Sequence, residues 1–326
     1  MPLVTTRPTS PGPGTGPPVV PPVDSGSARH PLQVTYVDPD GTAWSWSNPL
    51  TGCLITSVTG IGSPPAALAG VALPGGGSIA QSYSAAKRSI VIGLHAYSED
   101  SQDGLLDLVD RLAFALWTER AGLPSAGTLR FARPGGTIRQ IDVYCTSGPE
   151  QTDTDSTRDA YQWSTSYGLT FESALDPMFQ DVDPTGPLVF AAPPVSGGVP
   201  PMPPVLLSPS STLGSSTVTN TGNGDAHPIW TITGPGVPTL TNVTTGREFS
   251  LDATLSSGEV ITVDTRPARQ SAIDQDGHDR WTDLVKTSPR DLWTLVPGAN
   301  LLNLQLDSAG TGSSIEMIYH RRWLRA

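Results

Sequence analysis

The placement of proline decides where this chain can fold. Of its 33 prolines, eighteen fall in two stretches, residues 1–31 and 183–209. The first carries Pro2, Pro8, Pro11, Pro13, Pro17, Pro18, Pro21, Pro22 and Pro31; the second runs from Pro184 to Pro209. Each proline fixes φ and removes a backbone donor, which disfavours helix interiors and central strands. Residues 1–31 also hold almost no large apolar side chain, so they cannot bury enough surface to fold alone. They are expected to form an extended arm, and residues 183–209 a linker. Two folded units remain, residues 32–182 and 210–326, a division that suits a chain of 326 residues. With 34 glycines, 15 % charged and 6 % aromatic residues, the composition excludes an all-helical protein and favours short strands joined by many turns.

The first unit opens on alternation. Leu32, Val34 and Tyr36 lie on one face, Asp38-Pro39-Asp40-Gly41 marks a hairpin turn, and Trp44 and Trp46 follow on a second run. Further strands are expected at 53–58, 89–96, 128–132, 137–146 and 161–173. One segment changes period: Leu105, Leu108, Val109, Leu112, Ala113 and Leu116 are spaced three and four apart. That predicts an amphipathic helix over 103–117, with Ser101 as N-cap and Gly122 and Pro124 ending it. The second unit reads as strands only, at 216–221, 229–233, 248–251, 260–264, 301–307 and 314–320. Its Asn-Gly, Gly-Pro, Ser-Gly and Asp-Gly turns favour a β-sandwich, with 301–307 and 314–320 as a closing hairpin. The fold class is therefore mainly β with one amphipathic helix.

A net charge of −11 argues against nucleic-acid binding through the bulk field. Two cysteines, Cys53 and Cys145, make no disulfide framework and read as lone thiols. No stretch approaches the ~18 apolar residues of a membrane span. Met1 to Ser10 lack a basic start followed by an apolar run, so no signal peptide is expected.

The search for chemistry gives no catalytic, cofactor-binding or metal-ligating residue. His30, His95, His227, His278 and His320 are far apart in sequence, with no second ligand at zinc spacing. Asp274, Asp276 and Asp279 around Gly277 fall short of a calcium loop, and Asp276-Gly277 reads as a turn. The acidic run Glu150, Asp153, Asp155 and Asp159 reads as a solvated loop rather than a glycosidase pair. Asn242-Val243-Thr244 fits the glycosylation pattern but carries no weight alone. No enzyme is expected.

The most distinctive residues are turn-formers and strand starts. In order they are Thr51-Gly52-Cys53-Leu54-Ile55, Val58-Thr59-Gly60, Gly127-Thr128-Leu129-Arg130-Phe131, Arg139 to Tyr144, and Asp176-Pro177-Met178-Phe179. In the second unit come Asn220-Thr221-Gly222-Asn223-Gly224, His227 to Gly234, Ser257-Gly258-Glu259, Pro297-Gly298-Ala299-Asn300 and Ile318 to Trp323. This succession, over about residues 50–326, resembles the distal tail protein family of long-tailed, non-contractile phages, also described as phage tail or minor tail proteins.

The resemblance implies a β-sandwich-like first domain that builds a homohexameric ring under the tail tube, and a galectin-like second sandwich that serves as a docking platform. It implies a structural hub of the virion's tail tip or baseplate, assembled in the bacterial host's cytoplasm. The implied partners are other copies of the chain, the tail tube protein, the central hub or fibre protein and receptor-binding proteins. DNA would be cargo passing through the ring, and no membrane partner is implied. Residues 32–182 carry 16 acidic and 8 basic residues, net −8, as suits a pore wall that must not retain DNA. The competing reading is a carbohydrate-binding sandwich or adhesin stacking sugars on Trp44, Trp46 or Trp230; alternating tryptophans are more often core.

Overall fold

The computed structural model describes residues 32–149, 157–158, 163–191, 212–267, 269–286 and 292–326. The proline-rich arm, most of the 150–162 loop and residues 192–211 lie outside the described residues.

The first domain contains β1 (Gln33–Val37), β2 (Ala43–Ser45), β3 (Cys53–Thr59), β4 (Ala66–Ala72), β5 (Ser78–Ala85), β6 (Ser89–Ser98), α1 (Gln102–Leu116), β7 (Glu119–Arg120), β8 (Leu123–Pro124), β9 (Gly127–Ala132), β10 (Ile138–Ser147), β11 (Thr157–Arg158), β12 (Trp163–Ser173) and β13 (Phe179–Asp181). Its main sheet is antiparallel, ordered β2-β1-β9-β10-β12-β6-β3. The Asp38 carboxylate fixes the first turn by accepting from the Asp40 and Thr42 amides at 3.0 and 2.8 Å. Alternation then delivers Val34, Tyr36, Leu129, Phe131, Ile141, Val143, Leu169 and Phe171 to one core.

That core requires a curled sheet. Tyr36 on β1 and Phe171 on β12 are three strand spacings apart, about 14 Å in a flat sheet, yet their ring centroids lie 5.7 Å apart. Trp46 joins the two ends of the curl. Its amide donates to the Val34 carbonyl of β1, and its carbonyl accepts from the Ile55 amide of β3, at 3.0 and 2.8 Å. The indole, expected on a strand, sits in the turn after β2 and is wholly buried, because this closure leaves it no route outward.

The helix lies within a residue of its expected ends. The Ser101 hydroxyl caps it by accepting from the Gly104 amide at 3.0 Å, and Trp117 ends it in an extended conformation. Gly122 instead turns the small β7–β8 hairpin, with φ of 77°. The buried stripe is Leu105, Leu108, Val109, Leu112, Ala115 and Leu116. Ala113, expected in it, is exposed. Tyr36 bonds the helix to the sheet, its hydroxyl donating to the Ala115 carbonyl at 3.2 Å.

The second domain contains β14 (Thr185–Ala191), β15 (Thr212–Asn220), β16 (Pro228–Thr233), β17 (Val237–Asn242), β18 (Arg247–Leu251), β19 (Val260–Asp264), β20 (Ser271–Asp274), β21 (Leu284–Val285), β22 (Gly298–Asp307), β23 (Ser314–Tyr319) and β24 (Arg322–Trp323). Two five-stranded antiparallel sheets, β14-β23-β16-β19-β20 and β15-β22-β17-β18-β21, enclose a core around Trp230, Trp293, Phe249, Leu304 and Met317. This is a β-sandwich.

Two expectations need correction here. The stretch 183–209 is not linker throughout, since β14 pairs with β23 as an edge strand, where proline is tolerated, and its Leu188 and Phe190 pack on the core. The segments 301–307 and 314–320 do not form a hairpin either. Leu302, Leu304 and Leu306 face the core from one sheet, while β23 belongs to the other.

Candidate functional site

Of the candidate histidines and carboxylates, the structure brings together Asp274, Asp276 and His278, whose ligand atoms lie within 4.8 Å of one another at an exposed turn. The most extensive polar contacts lie where the two domains meet. His30 and the acidic residues Glu150, Asp153, Asp155 and Asp159 lie outside the described residues. His95 is paired with the Ser166 hydroxyl at 3.0 Å, and His320 meets the Asp181 carbonyl at 2.9 Å. Asp274 accepts from the Asp276 and His278 amides at 3.0 and 2.9 Å, and Gly277 has φ of 85°. Those bonds hold the carboxylate below its usual pKa range, led by the one from His278. The Asp276-Gly277 segment is thus a turn, and Asp279 accepts from the Trp281 amide beyond it. Burial raises both Cys53 and Cys145 to about 11, so they are protonated thiols at neutral pH. Asn242 is fully buried and donates to the Thr294 carbonyl at 3.1 Å, which leaves no access for a glycan.

The tryptophan platform is overturned at two of three positions. Trp46 and Trp230 are 0 % exposed. Trp44 is half-buried, its indole N–H donating to Asp38.

The seam between the domains is built by the end of the chain. Strand β24 leaves the sandwich and pairs with β13, adding itself to the first domain's sheet. Arg322 bonds Asp176 through two nitrogens at 2.8 and 2.6 Å. The Trp323 indole donates to Asp181 at 2.7 Å, and the Ala326 amide to the Ile61 carbonyl at 3.1 Å. Arg139 lies 3.9 Å over the Trp323 ring and donates to the Arg325 carbonyl at 2.6 Å.

At the centre is Arg88, only 1 % exposed. Its guanidinium donates to the carbonyls of Pro177 (2.8 Å), Gly60 (2.8 Å), Gly62 and Leu324 (2.8 Å), and stacks 4.5 Å from the Phe179 ring. Burial lowers its pKa to about 10, which keeps it charged at neutral pH. Two of the distinctive glycines serve this seam. Gly60 has φ of 79°, and a Cβ there would stand 2.0 Å from the Ser89 carbonyl oxygen. A Cβ on Gly222 would lie 2.7 Å from the Arg322 carbonyl, which the Asn220–Gly224 turn grips through the Asn223 and Gly224 amides.

A cavity of about 520 Å³ remains in the seam, lined by Asp142, Asp176, Met178, His227, Arg266 and Arg322 among others. Burial first, then the Arg322 cation, lowers the His227 pKa to about 4.

The opposite extreme is the β4–β5 hairpin. Every residue of both strands is exposed, and the strands pair only with each other. It carries Leu68 at 67 % and Tyr83 at 75 % exposure, with Val71 and Ile79 also outside. The strands expected from alternation do not include it, because Ala, Gly and Ser dominate the segment and leave no alternation to detect.

Residues 221–323 match the family described as siphovirus-type tail component, C-terminal domain. That span is similar to the family over most of the second domain. The chain as a whole has the fold of the protein described as SPP1 Dit (gp 19.1), a paradigm of hub adsorption apparatus in Gram-positive-infecting phages. The TM-score is 0.57 at 14 % identity, over 90 % of this chain and 99 % of that one. A chain from the phage P2 baseplate in its activated, calcium-bound conformation is similar at a TM-score of 0.49 and 10 % identity, over 90 % and 98 %. The comparison with curated proteins gives no match. The matched span begins inside the Asn220–Gly224 turn and ends at Trp323, so it closes on the seam strand.

Proposed function

We propose that this protein is a structural hub at the distal end of a siphophage tail, joining the tube to the baseplate or tip. The observation that carries the reading is a shared two-domain fold with SPP1 Dit over nearly the full length of both chains, together with the tail component match in the second domain. In this reading the first domain closes a homohexameric ring, and the sandwich outside it docks fibre or receptor-binding proteins. The tube protein above and the central hub protein below are the remaining partners. The protein resides in the virion, is assembled in the host cytoplasm, and performs no catalysis.

The exposed hairpin supports self-association. A lone two-stranded hairpin is marginal in water, and Leu68, Val71, Ile79 and Tyr83 on it are about half exposed or more among the described residues of their own chain. The net charge of −8 over residues 32–182 suits a wall past which DNA slides without being held.

Native mass spectrometry and negative-stain microscopy test the reading directly. Rings of six, alone or at the distal end of assembled tails, are the expected result. A monomer at high protein concentration that is also absent from purified tails overturns it.

A further inference from the structure

We propose that the exposed aromatic groove beside α1 is the docking site of this chain's own N-terminal arm, with Pro18-Val19-Val20-Pro21 seated in it. The groove, about 630 Å³, is walled by Trp44 and Phe114 and rimmed by Asp38, Asp40 and Asp110. Phe114 is 65 % exposed and Trp117, one turn on, 63 %. Arg120 covers one face of Phe114 at 4.8 Å while paired with Asp40 at 2.9 Å, so the ring is held in place with its remaining surface open.

Three observations select the arm as occupant. The first is chemistry. Extended proline-rich segments dock into aromatic-lined grooves, because the polyproline helix is already ordered and repeats every three residues. In that geometry Pro18 and Pro21 would share one face, with the apolar pair Val19-Val20 directly between them.

The second is reach. The arm joins at Leu32, next to β1, and β1 passes under the groove, where the Tyr36 hydroxyl meets the Ala115 carbonyl. Four strand residues separate Leu32 from that point, about 13 Å. The eleven residues from Pro21 to Leu32 span about 34 Å in polyproline geometry, enough to turn back onto the helix of the same molecule.

The third is charge. The arm carries Arg7 and Arg29 against Asp24 and is net positive, whereas the first domain is net −8; at the groove Asp40 is paired with Arg120, and Asp38 and Asp110 stand with Arg111. The proposal is independent of the tail reading, since it concerns one chain folding on itself.

Hydroxyl-radical footprinting of the full chain, read by mass spectrometry at Phe114 and Trp44, tests it. Oxidation of both is expected to rise several-fold in the double variant Pro18→Ser/Pro21→Ser and to stay low in Pro8→Ser/Pro11→Ser. Protection of the unsubstituted chain should not change on hundred-fold dilution. Trp293, fully buried in the sandwich, reports that each variant is folded. Equal oxidation with and without Pro18 and Pro21 overturns the proposal. Protection that disappears on dilution also overturns it, and assigns the groove to a second copy instead.

Discussion

Two segments leave the compact parts of this molecule, and they are treated in opposite ways. The terminal residues Arg322–Ala326 cross from the sandwich to the first domain and meet paired donors and acceptors there. The hairpin of β4 and β5 leaves the first domain with every residue exposed, and only its end at Ser84 and Ala85 borders the seam cavity. Those polar groups of the first segment that are buried must be satisfied within the chain. The second segment exposes apolar side chains of a size that isolated proteins seldom display together. The contrast separates a joint completed inside one chain from an apolar surface that the chain's described residues leave open.

The largest expected effect comes from ending the chain at Arg321. That removes β24, the Arg322–Asp176 pair and one acceptor each from Arg88 and Arg139, and should cost on the order of 5 kcal/mol. Urea denaturation of the two forms measures it; a loss below about 1 kcal/mol would show that the joint is ornamental. Next comes Arg88→Met, which leaves four carbonyls short of a donor and should cost about 3 kcal/mol by the same measurement.

The seam should also answer to acid. The folded-state pKa of His227 lies at about 4, below the unfolded value near 6.5. Its contribution is complete above about pH 6.5 and is lost as pH falls toward 4, on the order of 2–3 kcal/mol in all. Melting temperature followed across that interval should drop in the unsubstituted protein and flatten in His227→Gln. An unchanged slope in the variant would assign the acid sensitivity elsewhere.

The smallest effect on stability belongs to the hairpin. Leu68→Ser with Tyr83→Ser should move unfolding by no more than about 0.5 kcal/mol, because both side chains are exposed in the single chain. The same variant should lose higher-order species in native mass spectra. If stability fell sharply and assembly persisted, the contrast between joint and free surface would be reversed.

The sequence showed elements whose signal is local. The α1 stripe, the Asp38 turn and the strand at 260–264 depend on neighbours three, two or four residues away, and such spacing is visible in one line of text. Strand β14 was hidden because proline at 184 and 187 reads as interruption, and only its edge position makes it tolerable. The hairpin lacked alternation because neither of its faces is buried. The seam could not be read at all: Arg88 and Leu324 stand 236 positions apart, and nothing in either neighbourhood announces the other. What could be noticed were the glycines at 60 and 222, whose need for close approach is a local trace of distant contacts.

The terminal strand also imposes an order on synthesis. A ribosome delivers the first domain's residues early, but its sheet gains β24, and Arg88 its Leu324 acceptor, only after residues 322–326 have been translated. A product cut short upstream of residue 322 therefore leaves β13 without its β24 partner and Arg88 and Arg139 each without one acceptor, an unfinished edge of the kind that proteases and chaperones act on. The seam thus ties completion of the first domain's sheet to the translation of residues 322–326.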